Sequence, residues 1–418
     1  MALEPPTYSP SAAVPPYSLS PGPSERTLAV SARSRRRIPT GVFTRSNKLI
    51  TIALRDQEEN ATQPTYGRNS TVSGDIGLSC TQGVQSVSIK VEGRLHLADP
   101  HGTSIDTPFV NMLYPVGGIN GSRVCPSIFP FEFVLPEVFV DNGIRRALPP
   151  TYNLRSDLSG IRAQCNYVMK VIVKRKGGKL ALWTPQKKLT IPFTYRSRFR
   201  PPQPILASPF PHYPEEWFQV TSTMAVKPHS DIEPIDCHLF IPVVQTFALT
   251  DTIPFYLQLI APPKSLQAFL YPTIPNHSKL KRSKSNAAEA ATALPTVRVY
   301  LMRQVSVVLK GVHSMRKTTI GEGTLRSLPP GAPMPLLRSQ PLDAGLSTLD
   351  YEGEVRADSD VTEGQFVLSR VQIRDFMTVY LAPPNQYTSP LNPLQHSHSI
   401  RLVTDSFAES TDHESQAP

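Results

Sequence analysis

Two proline-tyrosine motifs close to the N-terminus have residue types and spacing suited to peptide recognition. Pro5-Pro6-Thr7-Tyr8 has the form PPxY, and Val14-Pro15-Pro16-Tyr17 has the weaker form VPxY. Proline-rich chain already favours the polyproline II conformation, so its rings can pack into an aromatic-lined groove with little further loss of backbone entropy. We expect Tyr8 to fill the neighbouring pocket of such a groove. The second motif would add avidity through a short flexible tether.

Two basic runs are the next candidates for binding. They consist of Arg33, Arg35, Arg36 and Arg37 in the first run and of Lys279, Lys281, Arg282 and Lys284 in the second. Each charge near an anionic lipid leaflet contributes about 1 kcal/mol, and phosphorylation of the interspersed serines would release the contact. Solvated charge on mobile chain and a nuclear import signal are the alternative interpretations.

Catalytic residues are not indicated. The segment Gly177-Gly178-Lys179 lacks the spacing of a phosphate-binding loop, and neither G-x-G-x-x-G nor G-x-S-x-G occurs. His396 and His398 lie close to Asp405, but members of a catalytic triad meet in the fold and rarely lie within one strand, so we expect a strand with exposed histidines. No ligand cluster completes a metal site around them. The sequence therefore predicts no enzyme, no metal and no cofactor.

The spacing of the cysteines and the hydropathy of the chain indicate the cellular compartment in which we expect the protein. Cys80, Cys125, Cys165 and Cys237 are far apart and form no C-x-x-C pair, which favours free thiols in a reducing compartment. We find neither a signal peptide pattern nor an apolar run of about 18 residues.

The net charge of +10 indicates an acidic partner, which could be nucleic acid, an anionic membrane or a phosphorylated peptide.

The elements that must hold these residues are predicted to be strands. The chain has 44 prolines against 22 glycines, and the prolines fall between short apolar runs, where they end strands or set turns. This pattern predicts an all-β chain. Residues 1–47 are rich in Pro, Ser and Arg, bury too little apolar surface to offset their ordering entropy, and are predicted to be a disordered tail. Residues 408–418 are predicted to be a second disordered tail.

The first folded region is predicted over residues 48–200. Its clearest strand is VQSVSIKVEGRLHL, in which Val87, Ile89 and Val91 alternate with Ser88 and Lys90, as expected for a half-buried antiparallel strand. The segments LITIAL, IFPFEFVLP and NYVMKVIVKRKGGKLAL show the same strand-like pattern. The last of them contains a Gly-Gly turn that could close a hairpin.

A proline-rich connection and a second series of strand patterns follow. Residues 201–216 hold too many prolines for a strand or helix and are predicted to be a stiff linker. Strand patterns then recur over residues 217–407, interrupted between Tyr271 and Pro295 by a basic and polar segment that we expect to form a long mobile loop. The chain therefore divides into two β regions.

The order of short motifs in these two regions resembles that of arrestin-like proteins in their divergent fungal form. The resemblance rests on LFIPVVQTFALTDTIPFYLQL, LDYEGEVRAD and SPLNPLQHSHSIRLVTDSF in the second region, and on VQSVSIKVEGRLHL, FPFEFVLP and LPPTY in the first. It covers residues 48–407. It implies two immunoglobulin-like β-sandwiches in tandem, the arrestin fold, with no catalytic site.

Members of the α-arrestin branch are adaptors, and the resemblance extends their role to this chain. They bind cytoplasmic parts of membrane transporters or receptors and recruit a HECT-type ubiquitin ligase, whose WW domains recognise PPxY motifs. Pro5, Pro6 and Tyr8 match that motif, and Val14, Pro15 and Tyr17 match its weaker form. The resemblance thus implies a cytoplasmic protein that is recruited peripherally to the plasma membrane or endosomes. The α-arrestin motifs usually lie in or after the second domain, whereas here the full motif is at the N-terminus.

Two further proline-tyrosine segments are interpreted differently. Pro149-Pro150-Thr151-Tyr152 stands where arrestin-like N-terminal domains carry a similar segment before a strand, so a structural turn is favoured over a ligand motif. In Pro383-Pro384-Asn385-Gln386-Tyr387 the tyrosine comes one position too late, and we expect a loop.

Two other functions stay open at this stage. An arrestin-fold endosomal scaffold without ligase recruitment would keep its function after deletion of the first 20 residues. A basic β-sandwich that binds nucleic acid would show steeply salt-dependent DNA binding by residues 48–407, although a charge spread over many strands argues against it.

Overall fold

The computed structural model describes residues 39–99, 101–118, 125–155, 162–176, 186–206, 213–271, 295–329 and 345–407. Within these residues the regular elements are strands, one short α-helix and one 3-10 helix, Pro214–Glu216, which confirms the prediction of an all-β chain. No helix in the described part of the chain combines the length and the apolar character needed to cross a membrane.

The N-terminal half of the structure contains twelve strands among the described residues. They are β1 (Gly41–Ser46), β2 (Ile50–Gln57), β3 (Thr65–Gly67), β4 (Thr71–Leu78), β5 (Val84–Ala98), β6 (Ser104–Gly118), β7 (Ile128–Val134), β8 (Val138–Asp141), β9 (Ile144–Ala147), β10 (Tyr152–Arg155), β11 (Arg162–Arg175) and β12 (Gln186–Arg196).

These strands form two larger sheets and one hairpin. The first sheet has the order β1-β2-β4-β7, and the second has the order β3-β12-β11-β5-β6 with β10 added beside β11. Ile52 and Ile76 of the first sheet and Ile89, Val171 and Ile191 of the second are completely buried in one apolar cluster. The two sheets therefore bury one face each, while β8 and β9 form a separate hairpin.

Alternation along β5 follows the sequence prediction. Val87, Ile89 and Val91 are at most 1% exposed and face the other sheet. Lys90, which points the other way, is only half-buried, and Ser88 on that face is 9% exposed. The strand is thus covered on one face and partly covered on the other, as the pattern predicted.

The tail boundary predicted at residue 47 is wrong. Gly41–Ser46 form β1, which pairs antiparallel with β2 from Gly41↔Gln57 to Ser46↔Thr51. Phe43 is its one large side chain that packs on the apolar cluster, while Val42 is exposed. Backbone pairing at the edge of a sheet holds this segment although its side chains bury little area, so composition alone did not reveal it.

The C-terminal half contains nine described strands and the helix. They are β13 (Trp217–Met224), β14 (Ile235–Pro242), β15 (Thr246–Ala248), β16 (Ile253–Ala261), α1 (Pro263–Leu270), β17 (Thr296–Leu309), β18 (Val312–Ser327), β19 (Ser347–Val355), β20 (Val371–Ala382) and β21 (Leu394–Val403).

All nine strands belong to one sheet that curls back on itself. The order is β13-β14-β16-β19-β18-β17-β20-β21-β15. Phe218 of β13 lies against the ring of His398 on β21, with ring centroids 5.1 Å apart. The backbone amide of Lys227 donates to Pro390 O at 2.7 Å, which joins the segments beyond these two strands. The curled sheet encloses a second apolar cluster that includes Phe247, Phe255 and Phe269.

The first apolar cluster receives side chains from both halves of the chain. Six of its buried members come from the C-terminal half, namely Val305, Val307, Leu309, Leu368, Val371 and Ile373. They lie at the ends of β17 and β20 and in the segment before β20. No described strand of one half pairs with a strand of the other, so the halves are joined by side-chain packing rather than by a shared sheet.

The segment that follows β12 is hydrogen-bonded to the segment that follows β21. Phe199 donates its amide to Thr404 Oγ1 at 3.0 Å, and its carbonyl accepts from the amide of Asp405 at 3.0 Å. The ring of Phe199 lies between the guanidinium groups of Arg68 and Arg401, at 5.0 and 5.2 Å. The first residues of the connection therefore lie against the second half.

Candidate functional site

The residues predicted for ligand binding at the N-terminus and in the basic runs lie outside the described residues. These are Pro5, Pro6, Tyr8, Val14, Pro15, Tyr17, Arg35, Arg36, Arg37, Lys281, Arg282 and Lys284. The described structure begins at residue 39, two positions before β1. These assignments stay predictions.

The internal PPTY segment is structural, as predicted. Pro149 and Pro150 are buried. Pro149 O accepts a hydrogen bond from Tyr167 Oη at 2.5 Å, and Thr151 bonds with Tyr195 through both its amide and its hydroxyl. The ring of Tyr152 is only partly exposed. These prolines lie just before β10, are buried and cannot be offered to a peptide-binding groove.

The second segment, residues 383–387, is a loop, as predicted. Pro383 is buried, whereas Tyr387 is 96% exposed. The side chain of Asn385 accepts from the amides of Tyr387 and Thr388 and so closes a turn. Tyr387 is thus an accessible tyrosine near two prolines without the PPxY spacing.

The prediction of exposed histidines on β21 is wrong, because both are half-buried. His398 Nε2 is 2.9 Å from Gln245 Oε1. Burial, and secondarily the neighbouring His396, lowers the pKa of His398. No group of three His, Cys, Asp or Glu residues that could hold a metal occurs in the described part of the chain.

A cleft of about 450 Å³ lies between the two halves, and four arginines line it. Arg145 and Arg146 come from β9, Arg374 from β20 and Arg401 from β21. We call this site the arginine cleft. Its other lining residues are Ala147, Leu148, Ser197, Phe199, Gln365, Phe366, Val367, Ile373 and Ser399. None of these described residues is acidic.

The wall of the cleft that β20 and β21 form, the C-terminal wall, is basic because of how these two strands pair. Asp375 of β20 pairs with Ile400 of β21, and both side chains are buried. Side chains alternate along strands, so Arg374 and Arg401, each one residue away, are neighbours on the opposite, exposed face. Like charges on adjacent strands repel each other, and this wall therefore favours an anion.

A buried ion pair orients the strand that carries Arg374. Arg303 of β17 donates from Nε and Nη2 to the two carboxylate oxygens of Asp375, at 2.7 and 3.0 Å. Asp375 is fully buried. Burial raises the pKa of Asp375 above its usual value, while the hydrogen bonds from Arg303 act to lower it. The pair fixes the register between β17 and β20 behind the cleft.

The opposite wall of the cleft, the N-terminal wall, is formed by the β8–β9 hairpin, and Asp141 at the turn of this hairpin bonds it to the second half. Asp141 Oδ2 accepts the amide of Ser369 at 2.6 Å and lies 3.1 Å from Arg146 Nε. Arg146 is therefore partly neutralised by Asp141. Arg145 is exposed and points to the other side of β9. The two arginines of the hairpin thus lie on opposite faces of β9: Arg146 is paired with Asp141, and Arg145 is exposed.

A second cleft, of about 620 Å³, has a different character. Its lining is mostly polar and uncharged, with Gln63, Asn153 and Asn166 and a single acid, Glu363. It lies beside Thr151 and Tyr152 at the start of β10. Nothing in its composition selects a particular ligand.

Sequence reasoning did not identify the arginine cleft. Its four arginines are separated by up to 256 positions, since 401 − 145 = 256, and only the fold brings them together. The adjacent pair Arg145-Arg146, after the turn residues Asn142 and Gly143, was the one local signal.

No family model matches the chain, and no curated protein is significantly similar to it. The arrestin-like resemblance therefore stays a prediction from short motifs.

Proposed function

We propose that this protein is a non-catalytic adaptor of the arrestin-like type. In this proposal two immunoglobulin-like β-sandwiches in tandem bind cytoplasmic segments of membrane transporters or receptors. The N-terminal tail recruits a HECT-type ubiquitin ligase through its WW domains, so that the cargo is ubiquitinated and internalised. The protein would act in the cytoplasm and be recruited to the plasma membrane or endosomes.

The observation that carries the proposal is the position of the full PPxY motif. Residues 5–8 precede β1 by more than 30 positions in the sequence, so the motif is not part of any described strand. The other PPxY sequence, residues 149–152, is used as a buried strand start. Accessible extended proline segments are what WW grooves take up, and the N-terminal copy is the one that remains for this role.

The body supports the proposal through its architecture. It consists of β-sheets around two large apolar clusters, and strands such as β18 are exposed along much of their length. Such a body is suited to binding protein segments on its loops and sheet edges.

The test is a binding titration of the full chain against the WW domains of a HECT ligase. We expect micromolar affinity that is lost in Tyr8→Ala and moderately weakened in Tyr17→Ala. Tyr387→Ala is the matched control, because Tyr387 is exposed and follows two prolines without forming PPxY. This control should bind like the unchanged protein.

Two results would contradict ligase recruitment. One is the absence of WW binding by the unchanged chain, and the other is equal loss in Tyr8→Ala and Tyr387→Ala. Either result would favour the alternative of an arrestin-fold scaffold that acts without a ligase.

A further inference from the structure

Two of the four cysteines lie at the same end of the antiparallel pair that β4 forms with β7. The amide of Leu78 donates to Ser127 O at 2.8 Å, in the register of the whole pair. Two positions further along each segment, the same register sets Cys80 opposite Cys125. All four cysteines are free thiols in the structure. The fold therefore brings together two thiols that are 45 positions apart in the sequence, since 125 − 80 = 45.

Backbone hydrogen bonds hold the chain in this direction up to Cys80. The amide of Ser79 donates to Leu49 O at 3.0 Å, in the register that joins β4 to β2. Ser79 Oγ also donates to Lys48 O at 3.0 Å. At the end of β11, Arg175 Nη2 donates to Cys80 O at 2.7 Å. Cys80 is thus fixed both by the residue before it and at its own carbonyl.

This register satisfies the geometric requirement of a disulfide. Residues directly opposite each other in an antiparallel pair have Cα atoms about 4.5 or 5.5 Å apart, and disulfides form between Cα atoms about 4.4–6.8 Å apart. Side chains alternate along a strand. Cys80 and Cys125 therefore lie on the same face of the sheet as Leu78 and Phe129, which are both buried. The two sulfur atoms can meet without any change in the paired strands.

The two thiols differ in exposure and in acidity. Cys80 is exposed, and a hydrogen bond from the backbone amide of Gln82, followed by the guanidinium group of Arg175, lowers the pKa of its thiol. Cys125 is half-buried against the first apolar cluster, and burial raises the pKa of its thiol. Because the thiolate is the reactive form of cysteine, a soluble oxidant reacts first at Cys80.

The other two cysteines are unsuited to oxidation. Cys165 and Cys237 are each 1% exposed, and burial raises the pKa of each thiol to about 12. Buried thiols of this kind are inert. They serve as internal controls for a reaction at Cys80.

We propose that Cys80 and Cys125 are a peroxide-sensitive pair that forms a reversible disulfide within the chain. In the first step the sulfur of Cys80 attacks one oxygen of hydrogen peroxide. The S–O bond forms, the O–O bond breaks, and the leaving hydroxide takes up the proton that Cys80 released. Cys80 is thereby oxidised to a sulfenic acid, and the peroxide is reduced.

In the second step the sulfur of Cys125 attacks the sulfur of Cys80. The S–S bond forms, the S–O bond breaks, and hydroxide leaves as water with the proton of Cys125. Two thiols and one molecule of hydrogen peroxide thus give one disulfide and two molecules of water. A dithiol reductant reverses the reaction by thiol–disulfide exchange.

The disulfide would join the end of β4 to the segment before β7 and close a loop that contains the β5–β6 hairpin. Closing such a loop restricts the unfolded chain. Disulfides in reducing compartments are usually transient and redox-sensing, which agrees with an exposed first cysteine. The proposal does not rest on ligase recruitment by the tail.

The experiment is peptide mapping of the full chain by mass spectrometry after exposure to hydrogen peroxide. The remaining thiols are alkylated under denaturing conditions, and the digest is analysed without reduction. We expect one cross-linked pair of peptides that contains Cys80 and Cys125, alkylated Cys165 and Cys237, and full reversal by dithiothreitol. The oxidised chain should stay monomeric on non-reducing electrophoresis.

Two cysteine variants separate the roles within the pair. Cys125→Ser should stop at the sulfenic acid of Cys80, which dimedone traps, whereas Cys80→Ser should give no trapped product. Absence of the cross-linked peptides from the unchanged chain would overturn the proposal, as would a disulfide between two chains. Mapping of the unchanged chain does not depend on the folding of either variant.

Arg175→Gln tests the part that the neighbouring guanidinium plays. This variant should form the disulfide at least about threefold more slowly at neutral pH, and the difference should vanish at alkaline pH, where the Cys80 thiol is ionised in both proteins. The matched control is Arg356→Gln, which removes the same charge from an exposed site in the C-terminal half and should react at the unchanged rate. Equal slowing in both variants would contradict a specific action of Arg175 on Cys80.

Discussion

At the scale of single residues, Glu92 is a buried carboxylate whose pKa is strongly lowered by its ion pairs. Its side chain is 5% exposed and lies 2.7 Å from Lys90 Nζ and 2.5 Å from Lys170 Nζ. Arg94 is 3.5 Å away. The hydrogen bond from Lys170, followed by that from Lys90, lowers the pKa of Glu92 to about 2. This group of charges joins β5 to β11 on the outer face of their sheet.

Glu92→Gln should remove a pH-dependent part of the stability. Because the folded pKa of Glu92 lies below its unfolded value, its contribution is complete above about pH 4.5 and is lost as the pH falls toward 2. The variant should therefore be less stable by about 2–3 kcal/mol at pH 7 and should lose less stability on acidification than the unchanged chain. Urea unfolding at several pH values measures both effects.

Glu137→Gln is the matched control for this prediction. Glu137 accepts hydrogen bonds from Arg68 and Asn69, and its side chain is 46% exposed, so solvent screens its ion pair. A pH dependence that changed equally in both variants would show that the buried position of Glu92 has no special effect.

Residue-scale prediction succeeded where the chemistry is local in sequence. The loop at 383–387 could be assigned from its own residues, whereas the structural role of the prolines at 149–150 was predicted from the arrestin-like resemblance. Arg145, Arg374 and Arg401 could not be grouped, because strand pairing and curling of the sheet bring them to one cleft. Half-burial of His398 also depends on Phe218, a residue 180 positions away (398 − 218 = 180).

At the scale of elements, two glycines in β4 differ sharply in their surroundings. A Cβ on Gly74 would lie 2.0 Å from Ala53 O on the neighbouring strand and 3.2 Å from the ring of Phe131. A Cβ on Gly77 would meet nothing closer than 3.9 Å, at Thr51. The close approach of β2 and β4 therefore requires glycine at position 74 and tolerates a side chain at position 77.

Gly74→Ala should destabilise the protein by at least about 2 kcal/mol, because the obstacle is backbone that can move only by disturbing the sheet. Gly77→Ala should be neutral or stabilise by up to about 1 kcal/mol, since alanine lowers the entropy of the unfolded chain. Chemical denaturation of the two variants measures the difference. Equal stabilities would contradict the close approach of the two strands.

Elements with regular apolar alternation were predictable, and others were not. β5 and β11 have alternating buried valines, and their strand assignment is confirmed. The strand patterns predicted in the second region did not include β18, because most of its residues before Ile320 are exposed and polar. The eight-residue α1 was missed as well, since it buries only Ser265, Leu266 and Phe269 and is too short to show a helical period.

At the scale of the whole molecule, the two halves share part of one core. Ile373 belongs to β20 and is fully buried, yet it packs in the first apolar cluster with side chains of β5 and β11. Ile400 belongs to the adjacent β21 and packs in the second cluster. Neighbouring strands of one sheet thus support different cores. The sequence predicted two β regions but could not show this sharing, which depends on how the sheets pack.

Ile373→Ala should lower the free energy of unfolding by about 2–5 kcal/mol and reduce the hydrogen-exchange protection of amides in β5 and β11. Ile400→Ala is the matched control, and it should affect β14 and β16 more than β5. Unchanged protection of β5 and β11 in Ile373→Ala would contradict the shared core.

Because the core is shared, the N-terminal half cannot complete its core as soon as it has been synthesised on the ribosome. The N-terminal half is synthesised through Arg196, but the residues that complete its core follow 109 to 177 positions later, from Val305 (305 − 196 = 109) to Ile373 (373 − 196 = 177). At about 5–20 residues per second, Ile373 follows Arg196 by roughly 9–35 seconds. During that time the nascent N-terminal half displays an uncovered apolar patch, so the growing chain is a natural client for ribosome-associated chaperones.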